Sequence, residues 1–389
     1  MNTESCVFAQ LVQWVPHYHF QRLVTRYHAN YKVRSLFCWD QFLCMLFAQL
    51  TYRESLRDIE ACLGSRPRLL YHMGIRSPVA RSTLADANET RDWRVYHDLA
   101  QALIRKARRL YAQDPFGVEL DETVYAFDST TIDLCLTLFP WARFRRQKAA
   151  IKLHTLLDLH GSIPSFIRLT DAACHDVNAL DALLLEAGAF YVMDRGYIHF
   201  ARLFRFTQAG AFFVTRAKKG VKFWRHSSRP VEPGQGVRSD QLIRLAGQRT
   251  AQSYPTLLRR VTYYDPDDFR LFVFWTNHLE LPALTVAQLY KSRWRIELFF
   301  KWIKGHLRIR NFYGTSENAV KTQIWIAVCT YVLIAIVSKE LKLEQSLSTT
   351  LQILSVNAFE KVPLHQLLVN NDLAESQPDD NNQLVFNGL

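Results

Sequence analysis

The stretch Val124-Tyr-Ala-Phe-Asp128-Ser-Thr-Thr131 sets a carboxylate at the end of a short apolar run. Aromatic and β-branched runs bounded by polar residues read as buried strands. A second stretch, Ala189-Phe-Tyr-Val-Met-Asp194-Arg-Gly-Tyr197, repeats the arrangement. A carboxylate in such a place is costly to bury unless a cation meets it. Two on neighbouring strands repel each other unless divalent ions stand between them. Taken singly, either aspartate is accounted for as an ordinary strand-ending or turn residue. As a pair they call for a chemical explanation.

A third carboxylate lies in Tyr290-Lys-Ser-Arg293-Trp-Arg-Ile-Glu297-Leu-Phe-Phe-Lys301-Trp-Ile-Lys304. An α-helix turns about 100° per residue, so steps of three, four and seven return to one side. The spacing predicts one helix with Tyr290, Arg293, Glu297 and Lys304 on a common face, joined by Lys301 and Arg308. Ile296, Phe300, Ile303 and Leu307 form its apolar face. A lone carboxylate among cations, on a helix with a buried back, suits joint binding of a metal ion and a phosphate backbone. The plainer reading is a surface helix with ordinary ion pairs at helical spacing.

Around these stretches the middle of the chain alternates. Strands are expected at Val124–Asp128, Ile151–Leu159, Ile163–Leu169, Phe190–Asp194 and Ala211–Thr215. A helix is expected from about Asp176 to Glu186, with Asp176 or Asp171 as its N-terminal cap. The pattern by itself supports a mixed α/β sheet. Rival carboxylates in reach are Asp121, Glu122, Asp133 and Asp158. Asp128 is preferred to Asp121 and Glu122 because it ends the apolar run, whereas they precede it. Asp133 reads as a turn or cap after the strand.

From Lys218 to about Pro282 the texture becomes β-rich and is punctuated by Gly, Pro and Ser. Arg216, Lys218, Lys219, Lys222 and Arg225 form a basic cluster interleaved with Phe223 and Trp224. Such an aromatic can stack on an unpaired base; the competing reading has Trp224 packing the β-rich segment, and Trp275 reads as core. The first hundred residues are helical in pattern, with a helix starting near Ser82 and another over Trp93–Tyr111. Arg81-Ser-Thr-Leu-Ala-Asp-Ala-Asn88 resembles the start of a recognition helix. It serves equally well in a plain helical domain.

Composition narrows the partner. A net charge of +12 and a pI near 9.4 favour an anionic partner, nucleic acid first. The 7 cysteines are scattered and odd in number, which fits reduced thiols inside a cell better than a disulfide framework. Ile324–Val337 is apolar, but at fourteen residues it is short for a bilayer and reads as a buried core helix. No secretory signal is read at the N-terminus, and Asn370–Leu389 reads as a polar, disordered tail. The expectation is a protein with no membrane partner.

At this point the chain resembles the DDE transposases of bacterial insertion sequences, in their IS-four branch. The likeness rests on Ala126-Phe-Asp128-Ser-Thr-Thr, on Met193-Asp194-Arg195-Gly196-Tyr197 and on the Tyr290, Arg293, Glu297, Lys304 signature. Lys152-Leu-His154-Thr-Leu-Leu-Asp158, Thr276-Asn277 and the segment Arg308 to Ala319 add to it, as does Leu351 to Lys361.

The resemblance implies an α/β fold: an RNase H-like catalytic core with a β-rich insertion, preceded by an all-helical N-terminal domain. The expected division is 1–112 for helical DNA binding, 113–218 for the first part of the core and 219–283 for the insertion. Residues 284–340 would return to the core with the Glu-bearing helix, and 341–389 would hold C-terminal helices and the tail. Asp128, Asp194 and Glu297 would be catalytic and would hold two Mg²⁺ ions, with Mn²⁺ as a substitute. Tyr290, Arg293 and Lys304 would grip the element's ends, and Lys301, Arg195 and Trp224 are further DNA-binding candidates. The partners implied are terminal inverted repeats, target DNA and a second copy in a synaptic homodimer. The place of action would be the cytoplasm, at the bacterial nucleoid. Two alternatives stay open: a two-metal nuclease without strand transfer, and a retired transposase acting as a DNA-binding module.

Overall fold

The computed structural model describes residues 5–145, 148–232, 234–306 and 312–369. Seven helices come first: α1 Val7–Val12, α2 His17–Arg26, α3 Cys38–Leu50, α4 Leu56–Gly64, α5 Pro67–Leu70, α6 Arg81–Thr90 and α7 Arg94–Tyr111. Strands β1 Val124–Leu134, β2 Arg143–Arg145, β3 Lys148–Asp158, β4 Ile163–Asp171 and β5 Phe190–Met193 follow. Next come α8 Phe200–Gln208, β6 Phe212–Arg216, β7 Phe223–Arg229, β8 Val237–Leu245, α9 Gln248–Ser253, β9 Leu258–Asp265 and β10 Arg270–Thr276. The chain closes with α10 Ala283–Ser292, α11 Trp294–His306, α12 Glu317–Glu340, α13 Leu347–Asn357 and α14 Leu364–Val369. Residues divide into two units, 1–100 with 321–389, and 101–320.

In the first unit the two ends of the chain meet. Val7 N–H donates to Glu360 O (2.8 Å), and the Gln10 amide bonds Val362 O (2.7 Å) and Leu364 N–H (2.8 Å). Helix α3 is buried at every residue except Trp39. Its polar Gln41 is tolerated because Asn88 (2.8 Å) and Arg91 (3.0 Å) satisfy its amide. On α6, Leu84, Ala87 and Asn88 face inward, while Arg81, Ser82, Asp86, Glu89 and Thr90 are exposed. That exposed face mixes both signs of charge. Helix α12 is longer than its uncharged stretch and long enough to cross a membrane, yet its apolar window is 94% buried in protein. It is a core helix, as its composition led one to expect.

The second unit is built on one 10-stranded sheet, ordered β2-β3-β1-β5-β6-β10-β9-β8-β7 with β4 beside β3. Strands β1, β3 and β4 form an antiparallel run, whereas β1, β5 and β6 are parallel. The four strands after Lys218 continue the same sheet through β10, which pairs antiparallel with β6. Val124–Phe127 and Phe190–Met193 are wholly buried, as continuous apolar runs in parallel strands should be. Trp275 is buried in the core against Phe200 (centroids 5.8 Å apart).

Three expectations are corrected. The helix foreseen over Asp176–Glu186 is a 3₁₀ segment, Asp176–Ala182, preceded by His175 with no side-chain cap. Asp176 is unavailable as a cap because Ser129 Oγ (2.8 Å) and Lys152 Nζ (3.1 Å) engage its Oδ1, and Asp171 ends β4. Asp133 is neither turn nor cap: β1 runs on to Leu134 and leaves it exposed. The single helix expected through Tyr290 and Lys304 is two, α10 and α11, joined at Arg293. There Arg293 N–H bonds Tyr290 O (3.2 Å) and Ile296 N–H bonds Arg293 O (3.1 Å). These three-residue closures tighten the turn. Leu307 and Arg308, assigned to that helix, lie outside the described residues, as does the tail from Asn370.

Candidate active site

Strand register creates the site. Phe127 lies opposite Met193 across the parallel β1–β5 pair, so Asp128 and Asp194 are the next residues on adjacent strands. Each directly follows a wholly buried run, Val124–Phe127 or Phe190–Met193. The α10–α11 junction packs over this edge and brings in the third carboxylate. Arg293 Nη1 donates to Asp128 Oδ2 (3.0 Å) and Nη2 to Glu297 Oε1 (2.5 Å). Tyr290 OH donates to Asp194 Oδ1 (3.2 Å). Thus Asp128, Asp194, Glu297, Tyr290 and Arg293, gathered from three distant stretches, line one cleft of about 760 Å³.

The electrostatics follow from that crowding. Burial pushes the Asp128 carboxyl above the usual carboxylate range; the Ser129 N–H and Arg293 pull it down, while the charges of Asp194 and Glu297 push it up. Its Oδ1 accepts Ser129 N–H (2.8 Å) and lies 3.5 Å from the Tyr197 hydroxyl. Burial raises the Tyr290 phenol to about 12, so it stays protonated and able to donate. Burial works against the Arg293 charge, but the Glu297 hydrogen bond, Tyr290 and Asp128 outweigh it and raise its pKa.

The donor chemistry fits a hard divalent cation: three carboxylates, one of them made protonation-prone by burial, with its like-charged neighbours adding to the effect. Among the described residues no three His, Cys, Asp or Glu side chains form a ready metal-ligand cluster. The Arg293 guanidinium stands between Asp128 and Glu297 and supplies the positive charge there.

The remaining candidates are placed as follows. Lys304 reaches the backbone of β1, with Nζ 2.8 Å from Thr131 O. Lys301 and Arg195 are exposed. Trp224 is 73% exposed on β7, so it does not serve as packing for the β-rich segment. Of the rival carboxylates, Asp158 is tied to Arg108 Nε (3.0 Å) and His160 N–H (3.1 Å), and Asp121 and Glu122 are exposed before β1. Sequence reasoning missed Tyr197 as a neighbour of Asp128, although it stands in the quoted Asp-Arg-Gly-Tyr stretch.

Residues 119–333, more than half the chain, match the transposase DDE domain family, and 3–76 match a domain of unknown function. The chain is 36% identical to the transposase homologue y4zB of Sinorhizobium fredii over 66% of this chain and 71% of that one. It is 32% identical to a transposase homologue for insertion sequence element IS5377 of Geobacillus stearothermophilus, over 53% of this chain and 54% of that one. A piggyBac transposase synaptic complex with hairpin DNA aligns at TM-score 0.42 and 10% identity, over 96% of this chain and 81% of that one. With the family's domain spanning all three carboxylates and a relative matched over most of its length, the chain belongs to the transposase DDE domain family of bacterial insertion-sequence transposases, enzymes that cleave DNA.

Proposed function

We propose that Asp128, Asp194 and Glu297 are the catalytic carboxylates of an insertion-sequence transposase that cuts an element's ends and joins them to target DNA. The observation that carries this is their convergence in one cleft, where burial, reinforced by the charges of the other two, raises the Asp128 carboxyl. The three would hold Mg²⁺, two ions by the chemistry of phosphodiester cleavage, with Mn²⁺ as substitute. Such ions supply a more acidic water and charge stabilisation for the departing 3′ oxygen. The chain's own residues do the rest. Tyr290 orients Asp194 through its phenol, Ser129 N–H fixes one oxygen of Asp128, and Arg293 holds the other beside Glu297.

Arg293, Tyr290 and Lys304 would meet phosphates flanking the cut, exchanging their present protein partners for them, with Lys301, Arg195 and Trp224 as outer contacts. The order β4-β3-β1-β5-β6, three antiparallel strands then two parallel ones, supports an RNase H-like core. On this reading 219–283 is its insertion and the N-terminal helices up to residue 112 bind DNA. The Tyr290, Arg293, Glu297, Lys304 spacing supports placement in the IS-four branch. A homodimer would pair two ends, acting at the cytoplasmic nucleoid.

The test is strand transfer with purified protein and a pre-cut end from the element's flanking repeat, in Mg²⁺ and in Mn²⁺. Joined product from the wild type, absent in Glu297→Gln, supports the reading. Nicking without joining moves it to a nuclease. Binding with neither cutting nor joining sinks the catalytic assignment.

A further inference from the structure

The cross-sheet row that carries Asp128 and Asp194 has a third member. Met193 pairs with Thr215 across the parallel β5–β6 ladder, so Arg216 occupies on β6 the position that the aspartates occupy on β1 and β5. Its guanidinium lies 5.0 Å from the centroid of Phe272. Phe272 stacks on Phe274 (6.1 Å, 13°), and Phe274 packs on Tyr290 (4.9 Å). Arg293 covers the far end of that row, 5.7 Å from the Tyr290 ring. Two guanidiniums therefore bracket three aromatic rings, and all five side chains line the same cleft.

The two cations differ in what neutralises them. Arg293 is spoken for by Asp128 and Glu297. Arg216, among the described residues, forms no ion pair. A guanidinium stacked on a ring keeps its N–H donors free at the rim, in a planar fork suited to phosphate oxygens. Half-buried at the end of β6, Arg216 has few rotamers left to lose on binding. We propose that Arg216 binds a phosphodiester of the DNA strand that passes through the cleft, on the β6 side of the carboxylates. The proposal rests on the transposase reading of this cleft and adds the direction in which the strand leaves it. The acidic turn of Asp265, Asp267 and Asp268 lines the same cleft, with Asp267 paired to Lys291 (2.7 Å). A DNA strand is repelled there, so Arg216 marks the near bank of its path.

Fluorescence anisotropy with a labelled pre-cut end duplex, in EDTA and across a salt series, tests this. Arg216→Gln is expected to weaken binding about tenfold and to lower the slope of log Kd against log salt by about 0.9, the loss of one phosphate contact. Arg216→Lys keeps the charge and is expected to restore the slope, which separates phosphate binding from mere packing on Phe272. Neutral methylphosphonate placed at single positions identifies the partner: one substitution should weaken the wild type and leave Arg216→Gln unmoved. Equal affinity and slope in wild type and Arg216→Gln overturn the proposal while the transposase reading stands. A wild type that does not bind the duplex at all overturns both.

Discussion

Arg293 Nη1 lies 3.0 Å from Asp128 Oδ2, a bond between residues 165 apart in the chain. With its second arm on Glu297, the guanidinium fastens the α10–α11 junction to the middle of β1. Because arginine keeps its charge at every accessible pH, this clasp does not open by titration of Arg293. The site is therefore assembled by a fixed cation, and the groups around it are open to single changes.

Tyr290→Phe removes the phenol that donates to Asp194 at 3.2 Å and keeps the ring packed on Phe274. Losing one hydrogen bond to a carboxylate is worth roughly 1.5–3 kcal/mol, so the cleavage rate should fall about ten- to a hundredfold. The thermal midpoint should stay near that of the wild type. Single-turnover cleavage beside a melting curve reads both; an unchanged rate refutes the positioning role.

Arg259 and Asp240 form a buried two-armed pair between β9 and β8, with bonds of 2.8 and 2.7 Å. Asp240→Ala leaves the guanidinium uncompensated and should cost about 3–5 kcal/mol. Replacing both by apolar residues should recover much of that loss. Chemical denaturation of the single and double variants gives the comparison.

His154 is fully buried on β3, with Nε2 on Thr170 Oγ1 (2.8 Å) and an unpartnered Nδ1 4.0 Å from Asp176. Burial pushes its pKa from 6.5 down to about 4, against the pull of Asp176. Between those values the unfolded chain binds the proton and the folded one does not. Stability therefore rises with pH across this window and is lost as pH falls from 6.5 towards 4, by about 2–3 kcal/mol. His154→Gln should flatten that part of the stability profile. A wild-type and variant difference that is constant from pH 4 to 7 contradicts the assignment.

Trp224 is 73% exposed, so Trp224→Ala should leave the melting temperature within about 1 °C. If it stacks on a base of the element's end, duplex affinity should drop by about 1–3 kcal/mol. Equal affinity removes it from the DNA contacts.

Much of this was legible beforehand. The strands bearing Asp128 and Asp194 announced themselves because parallel strands buried on both faces need continuous apolar runs. The break at Arg293 was not legible: no Gly or Pro interrupts Ala283–Lys304, and the tightened turn accompanies contacts to Asp128 and Glu297 rather than a local breaker. Asp176 has the composition of a helix cap, yet Ser129 and Lys152, distant in sequence, engage it instead. The ring row beside Arg216 depends on β10 folding back against β6, a pairing that periodicity does not encode. Periodicity reveals a strand's own face; it says nothing about its neighbour.

The common row of Phe127, Met193 and Thr215 makes the site a matter of phase. Side chains alternate faces along a strand, so a one-residue slip turns every one of them over. Inserting or deleting one residue inside 124–128, 190–194 or 212–216 would point Asp128, Asp194 or Arg216 into the opposite layer, however well the sheet still formed. The same lesion in the exposed link 218–220 between β6 and β7 would leave all three in step. Such frame-preserving length changes separate the part of this chain that keeps count from the parts that merely connect.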